Sequence, residues 1–161
     1  MKILNWVTEG TWPGCVDAAN DLIGGLDADV TLIHVREGGR PAPESGPGSL
    51  MGHRRRKHAE EQLRQLSEEA AAQMLDQAKE RLGRDAEIRL ETGFPERVVT
   101  DASAQADYII IGRDGDRSRL GPSSLGKHTR FVIDHAPCRV LLIWPGAAPD
   151  VGSIPPPPPH R

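Results

Sequence analysis

Apolar positions along this chain fall into two kinds of run that alternate. Short, nearly continuous runs occupy Lys2–Val7, Val30–Val35, Asp107–Ile111 and Arg139–Trp144. Continuous rather than alternating hydrophobicity predicts strands buried on both faces, as in a parallel sheet. Between these runs the spacing changes to three and four. Leu63, Leu66, Ala70, Met74, Ala78 and Leu82 make one stripe of a long helix that stops at Gly83. Further helices are predicted near Pro13–Leu26, with Thr11 as N-cap and Pro13 in the first turn. Another starts at Gly93-Phe94-Pro95 and runs through Ala104 with Val98 and Val99 inward, and the last covers Lys127–His135. Ala86–Glu91 instead alternates Ile88 and Leu90 with charges, as a half-exposed strand near an edge does. Five strands alternating with four helices predict an α/β fold, a parallel sheet with helices on both faces.

Such sheets take ligands at the carboxyl ends of their strands, where the winding direction reverses. For five strands that crevice lies between the first strand and the Ile109–Ile111 strand. There Ile111-Gly112-Arg113-Asp114-Gly115 leaves the buried run in a tight loop, and Gly126 opens the helix from Lys127. Glycines admit close approach, and free N–H groups at a helix N-terminus favour anions. Gly115, Gly126 and the amides of Lys127 and His128 therefore form a candidate phosphate cradle. Lys127 offers a point charge to it. Ser123 or Ser124 offers a hydroxyl or caps the helix. Asp114 would repel phosphate unless it held Mg2+, so it is expected to point to solvent.

Composition narrows the function. The chain has 161 residues, enough for one domain, and a net charge of −3, which gives no global pull toward nucleic acid. No apolar run approaches the roughly 18 residues that span a bilayer, and the N-terminus enters a strand pattern without a signal peptide. Two cysteines, Cys15 and Cys138, make neither a disulfide framework nor a metal site, so a cytoplasmic protein is expected. Three Trp, two Phe and one Tyr leave an aliphatic core. Residues 37–52 are rich in Gly, Pro and Ser and read as a long loop. Residues 146–161, with Pro155–Pro159 in polyproline II, read as a tail beyond a domain of residues 1–145. The basic run His53–His58 opens the long helix against its dipole, where it could close over phosphates or pair with Glu60, Glu61, Glu68 or Glu69. Lacking interleaved aromatics, that run argues against nucleic acid. His34 is expected to be a hydrogen-bonded strand histidine. No nucleophile, general base or metal cluster stands out.

The arrangement resembles the universal stress protein family over most of residues 1–145. Val30–Val35 (VTLIHV) looks like that family's second strand, and Thr92-Gly93-Phe94-Pro95 like its G-x-P turn. Tyr108–Gly115 (YIIIGRDG) is similar to its fourth strand and first two loop glycines. Gly126 with His135–Leu142 is similar to its closing helix and strand. The resemblance implies a Rossmann-like sheet of order 3-2-1-4-5, of the adenine nucleotide alpha hydrolase kind. It also implies ATP or another adenine nucleotide as ligand, with or without Mg2+. Adenine would then meet Thr8 and the main chain of Val30, over an apolar floor at Ile111. Its phosphates would lie along Gly112, Arg113, Gly115, Ser124, Gly126, Lys127 and His128. A homodimer through the edge strand Arg139–Trp144 follows in the same way.

The chain departs from the nucleotide-binding G-x2-G-x9-G-[ST] loop in three places. Ten residues, Asp116–Leu125, separate the second and third glycines; Lys127 replaces Ser or Thr; and Thr8 stands where an Asp is usual, with Glu9 next. A threonine hydroxyl is a poorer acceptor for a base or sugar than a carboxylate. Two functions stay open: a nucleotide-binding sensor or effector with at most slow ATP hydrolysis, and a dimeric interaction module without nucleotide. An enzyme on the same scaffold is disfavoured, since neither a Ser-Gly-Gly-x-Asp-Ser loop nor a His-x-Gly-His is present.

Overall fold

A computed structural model describes residues 1–38 and 50–160. The central strand β1 (Lys2–Trp6) runs parallel to β2 (Asp29–Glu37) on one side and β4 (Tyr108–Gly112) on the other. The edges are β3 (Glu87–Gly93), beside β2, and β5 (Arg139–Ile143), beside β4, so the order is β3-β2-β1-β4-β5, all parallel. Winding reverses between β1 and β4, as the aliphatic runs predict for a doubly covered sheet. Helices α1 (Trp12–Ile23) and α2 (Leu50–Leu82) pack on one face through Val16, Ala19, Ile23, Leu75 and Ala78. Helices α3 (Pro95–Ser103) and α4 (Lys127–His135) pack on the other through Val99 and Val132. Alternate residues of β1 divide accordingly: Ile3 and Val7 face α1 and α2, whereas Leu4 and Trp6 face α3 and α4.

Among the described residues the core is aliphatic apart from Cys15 and Trp6, the latter buried at the end of β1. Asn5 is also fully buried; its Nδ2 donates to the carbonyl of Cys15 at 3.0 Å and ties the first turn of α1 to β1. Asp107 clips β1 to β4, its carboxylate accepting from the Lys2 amide at 2.7 Å while its own amide donates to Lys2 O at 2.8 Å.

The long helix departs from its predicted stripe. Its buried positions are Ala71, Leu75, Ala78 and Leu82, whereas residues 52–70 are exposed throughout, Leu63 at 67 % and Leu66 at 62 %. Length explains this. Thirty-three residues span about 50 Å at 1.5 Å each. The seven- and nine-residue strands below reach only about 30 Å at most. The sheet therefore covers the last turns and leaves the rest projecting. Arg36, from β2, meets that arm at the Arg64 carbonyl and at Glu68, 3.7 Å away. Glu61 pairs with Arg64 at 3.5 Å, and Arg54–Lys57 make no ion pair with a described residue. The Gly-rich loop before this helix falls, at residues 39–49, outside the described residues.

Edge strand β3 shows the half-exposed pattern, with Ile88 exposed and charges along it, which discourages pairing with other chains. At the C-terminal end, Val151–Ser153 forms a 3-10 turn capped by Asp150, and Ser153 Oγ accepts from the Leu120 amide at 3.0 Å. The segment after β5 thus touches the loop between β4 and α4.

Arg81 of α2 donates to both oxygens of Asp17 of α1, at 2.8 and 2.7 Å. These hydrogen bonds hold the Asp17 carboxyl below its usual range. A carboxyl whose folded value lies below its unfolded value stabilises the fold above the unfolded value, and that share is lost as pH falls through the folded one. Stability is therefore expected to fall below about pH 4, where carboxylates protonate. Urea unfolding at stepped pH checks this. Asp17→Asn should flatten part of the acid slope, and an unchanged slope would assign the loss to other carboxyls.

Candidate functional site

Close packing, before any ligand is considered, dictates the loop after β4. A Cβ on Gly112 would fall 2.7 Å from Thr11 Cβ and 3.2 Å from Cys15 Sγ, so glycine lets α1 settle against β4. A Cβ on Gly115 would fall 2.4 Å from the Ser123 carbonyl oxygen. The reason is a backbone pinch: Gly115 N–H donates to Ser124 O, and Asp116 N–H to Ser123 O, both at 2.8 Å. The ten-residue span is absorbed beyond this pinch, in an Asp116–Ser118 side-chain turn and a 3-10 turn at Pro122–Ser124. Hydrogen bonds from Ser118 hold the Asp116 carboxyl low.

Arg113 and Ser124 work within the loop. Ser124 is fully buried, its hydroxyl donating to Gly121 O at 2.7 Å and accepting from Arg113 Nη1 at 2.6 Å. The same guanidinium lies over the Trp144 ring, 4.7 Å from its centroid. Thr8 is engaged as well. Its hydroxyl pairs with that of Thr11, and its carbonyl accepts from the Trp12 amide at 3.1 Å. Thr11 occupies the N-cap position of α1 but makes no capping bond, because its hydroxyl turns to Thr8.

Asp114, expected to face solvent, is exposed, yet its carboxylate is not idle. Oδ1 accepts from the Gly126 amide at 2.7 Å, directly before the first turn of α4. The amides of Lys127, His128 and Thr129 have no acceptor within the helix, as in any first turn. Lys127 is exposed beside them. The His128 side chain bridges two carboxylates, with Nε2 3.1 Å from Glu37 Oε1 and Nδ1 2.7 Å from Glu96 Oε2, the latter off the N–H line. A hydrogen bond from its own amide at the start of α3, then the neighbouring His128, hold the Glu96 carboxyl low. These carboxylates face opposite ring nitrogens, so no single cation position serves all three. The described residues include no cluster of three or more His, Cys, Asp or Glu suited to a metal.

Ile111 is core on the α3/α4 face, packed in the cluster that contains Val132. Val30 is not brought to this end of the sheet. It pairs with Ile3 at the amino end of β2, some 16 Å of strand before Val35. It lines instead the larger cavity there, about 490 Å3, with Lys2, Asp29, Glu87 and Arg89. At the carboxyl end a cleft of about 360 Å3 opens between α2 and the β1–α1 turn, lined by Glu9, Trp12, His34, Ala71 and Met74. His34 Nδ1–H donates to the Val7 carbonyl at 2.7 Å and so stays fixed in its wall. Neither cysteine offers a reactive thiolate. Burial pushes the Cys15 thiol up to about 12, burial also raises that of Cys138, and both are free. No helix among the described residues is long and apolar enough to cross a membrane.

Solved structures share this fold at low identity. The universal stress protein UspA from Lactobacillus plantarum is 20 % identical with a TM-score of 0.59, over 89 % of this chain and 97 % of that one. A universal stress protein in complex with cAMP is 16 % identical with a TM-score of 0.59, over 91 % and 98 %. One from Archaeoglobus fulgidus in complex with dAMP is 17 % identical with a TM-score of 0.56, over 88 % and 96 %. A search of curated protein sequences finds no match. The sequence profile of the Universal stress protein family matches residues 15–143, most of the chain including β4, the glycine loop and α4. With that profile and this topology, the chain belongs to the universal stress protein family.

Proposed function

We propose that this chain binds ATP or another adenine nucleotide at the carboxyl ends of β1 and β4 and acts as a sensor or effector module. The observation that carries the reading is the first turn of α4. The amides of Lys127, His128 and Thr129 lack internal acceptors, and the exposed Lys127 stands next to them at the topological switch point. Relatives of the same fold have been solved with cAMP and with dAMP, which supports the ligand class. The base enters the cleft walled by Trp12, His34 and Met74, and any Mg2+ travels on the nucleotide's phosphates. Hydrolysis is slow at most, because no side chain among the described residues is placed as a general base for phosphoryl transfer. The protein works as a homodimer in the cytoplasm, paired through β5, whose outer edge is unpaired among the described residues and carries half-buried Val140–Ile143.

A second reading, an interaction module without nucleotide, draws on the engaged state of the loop. Gly115, Asp116 and Gly126 already use their amides internally, and the Thr8 hydroxyl is bound to Thr11. Calorimetric titration separates the two. The nucleotide reading expects Lys127→Ala to weaken ATP about tenfold, the loss of roughly 1.4 kcal/mol, and to leave adenosine unchanged. Equal losses for both ligands would remove Lys127 from the site. A wild-type protein that binds neither at millimolar concentration favours the interaction module.

A further inference from the structure

We propose that Asp114 is an internal competitor for phosphate: its carboxylate occupies the seat before α4 and admits phosphate-bearing ligands only when displaced. The inference rests on the nucleotide reading and names the residue that sets ligand charge preference within it.

Two observations on Gly126 meet at this carboxylate. The Gly126 amide donates to Asp114 Oδ1 at 2.7 Å. A Cβ on Gly126 would lie 2.8 Å from each carboxylate oxygen, so the space left by the missing side chain is filled by Asp114 itself. The carboxylate thus lies across the opening of the helix, where a phosphate oxygen would take the same N–H. Carboxylate and phosphate oxyanions seek the same donors at a helix N-terminus, and two anions held there together repel. Asp114 makes no ion pair with a described residue, so no salt bridge pins the carboxylate in that seat. The side chain is exposed, and rotation about its own bonds carries it into water without moving the backbone pinch at Gly115. It is therefore a displaceable occupant and not a fixed wall. Uncharged adenine compounds leave it seated, whereas phosphate must move it.

The test compares wild type with Asp114→Ala and Asp114→Asn, all first shown to unfold cooperatively in urea. One arm reads the thermal midpoint in inorganic phosphate against chloride at matched ionic strength. Asp114→Ala is expected to gain a phosphate-dependent rise that wild type lacks, and equal responses would overturn the proposal. The other arm titrates ATP and adenosine first without Mg2+ and then with it. Asp114→Ala is expected to bind ATP at least tenfold more tightly and adenosine within twofold of wild type. Asp114→Asn, which keeps the acceptor and loses the charge, should fall between. Unchanged or weaker ATP binding in Asp114→Ala would overturn the proposal, as would a loss seen only with Mg2+, since the carboxylate would then be a cation ligand. A phosphate-dependent rise in Asp114→Ala with no adenine compound binding either protein would support the role of Asp114 and sink the nucleotide reading, so the two fail separately.

Discussion

Gly115→Val is expected to lower unfolding stability by about 3 kcal/mol and to abolish nucleotide binding at the same time. A side chain at 115 would start 2.4 Å from the Ser123 carbonyl oxygen and 2.8 Å from the Ser124 carbonyl carbon, both backbone atoms. Neither can retreat while Gly115 and Asp116 donate to those two residues. Relief requires breaking the pinch, at about 1 kcal/mol for each hydrogen bond plus the strain of overpacking. Once the pinch opens, Asp114 and Gly126 lose their relation to α4, so the site goes with it. Gly126→Ala is the control. The three atoms nearest its Cβ would all belong to the Asp114 carboxyl group, on a side chain free to rotate, and about 1 kcal/mol or less is expected. Urea unfolding of both variants beside wild type decides the matter, and equal costs would contradict the pinch as the element that shapes the loop.

Leu75→Ala is expected to cost about 3 kcal/mol, while Leu66→Ala, nine residues earlier on the same helix, should change stability by less than about 0.5 kcal/mol. Leu75 is fully buried against α1 and the sheet, whereas Leu66 is 62 % exposed. Truncating the first opens a cavity in a close-packed core, and truncating the second removes surface already in contact with water. A large loss at Leu66 would mean that the projecting half of α2 is covered in solution.

That pair also marks where the sequence was legible. A spacing of three and four identifies a helix and its apolar side, but it carries no record of how long the surface beneath is. Leu63 and Leu66 obey the same period as Leu82 and differ only in reaching beyond the sheet. Strands were easier, because unbroken runs such as Ile109-Ile110-Ile111 have few fates other than burial between two helical layers. The glycines at 112, 115 and 126 signalled a tight loop at the switch point, and the loop is there. Their immediate cause is nevertheless packing against Thr11, Ser123 and Asp114. Val30 opens its own run, so a parallel sheet that takes its ligand at the carboxyl ends already sets it apart from the site, and its register with Ile3 places it there. Asp114 is exposed as its position suggested, but its bond to the Gly126 amide was not legible, because that contact spans twelve residues whereas capping signals readable in sequence lie within three or four.

Amide NMR of 15N-labelled protein titrated with ATP checks that an adenine nucleotide sits with its phosphates on the first turn of α4. That placement puts the largest shifts at Gly126, Lys127 and His128, with smaller ones at Glu9 and Trp12, and quiet amides at Val30 and Glu87 in the amino-end cavity. Shifts centred on Val30 and Glu87, or none at millimolar ATP, would contradict it.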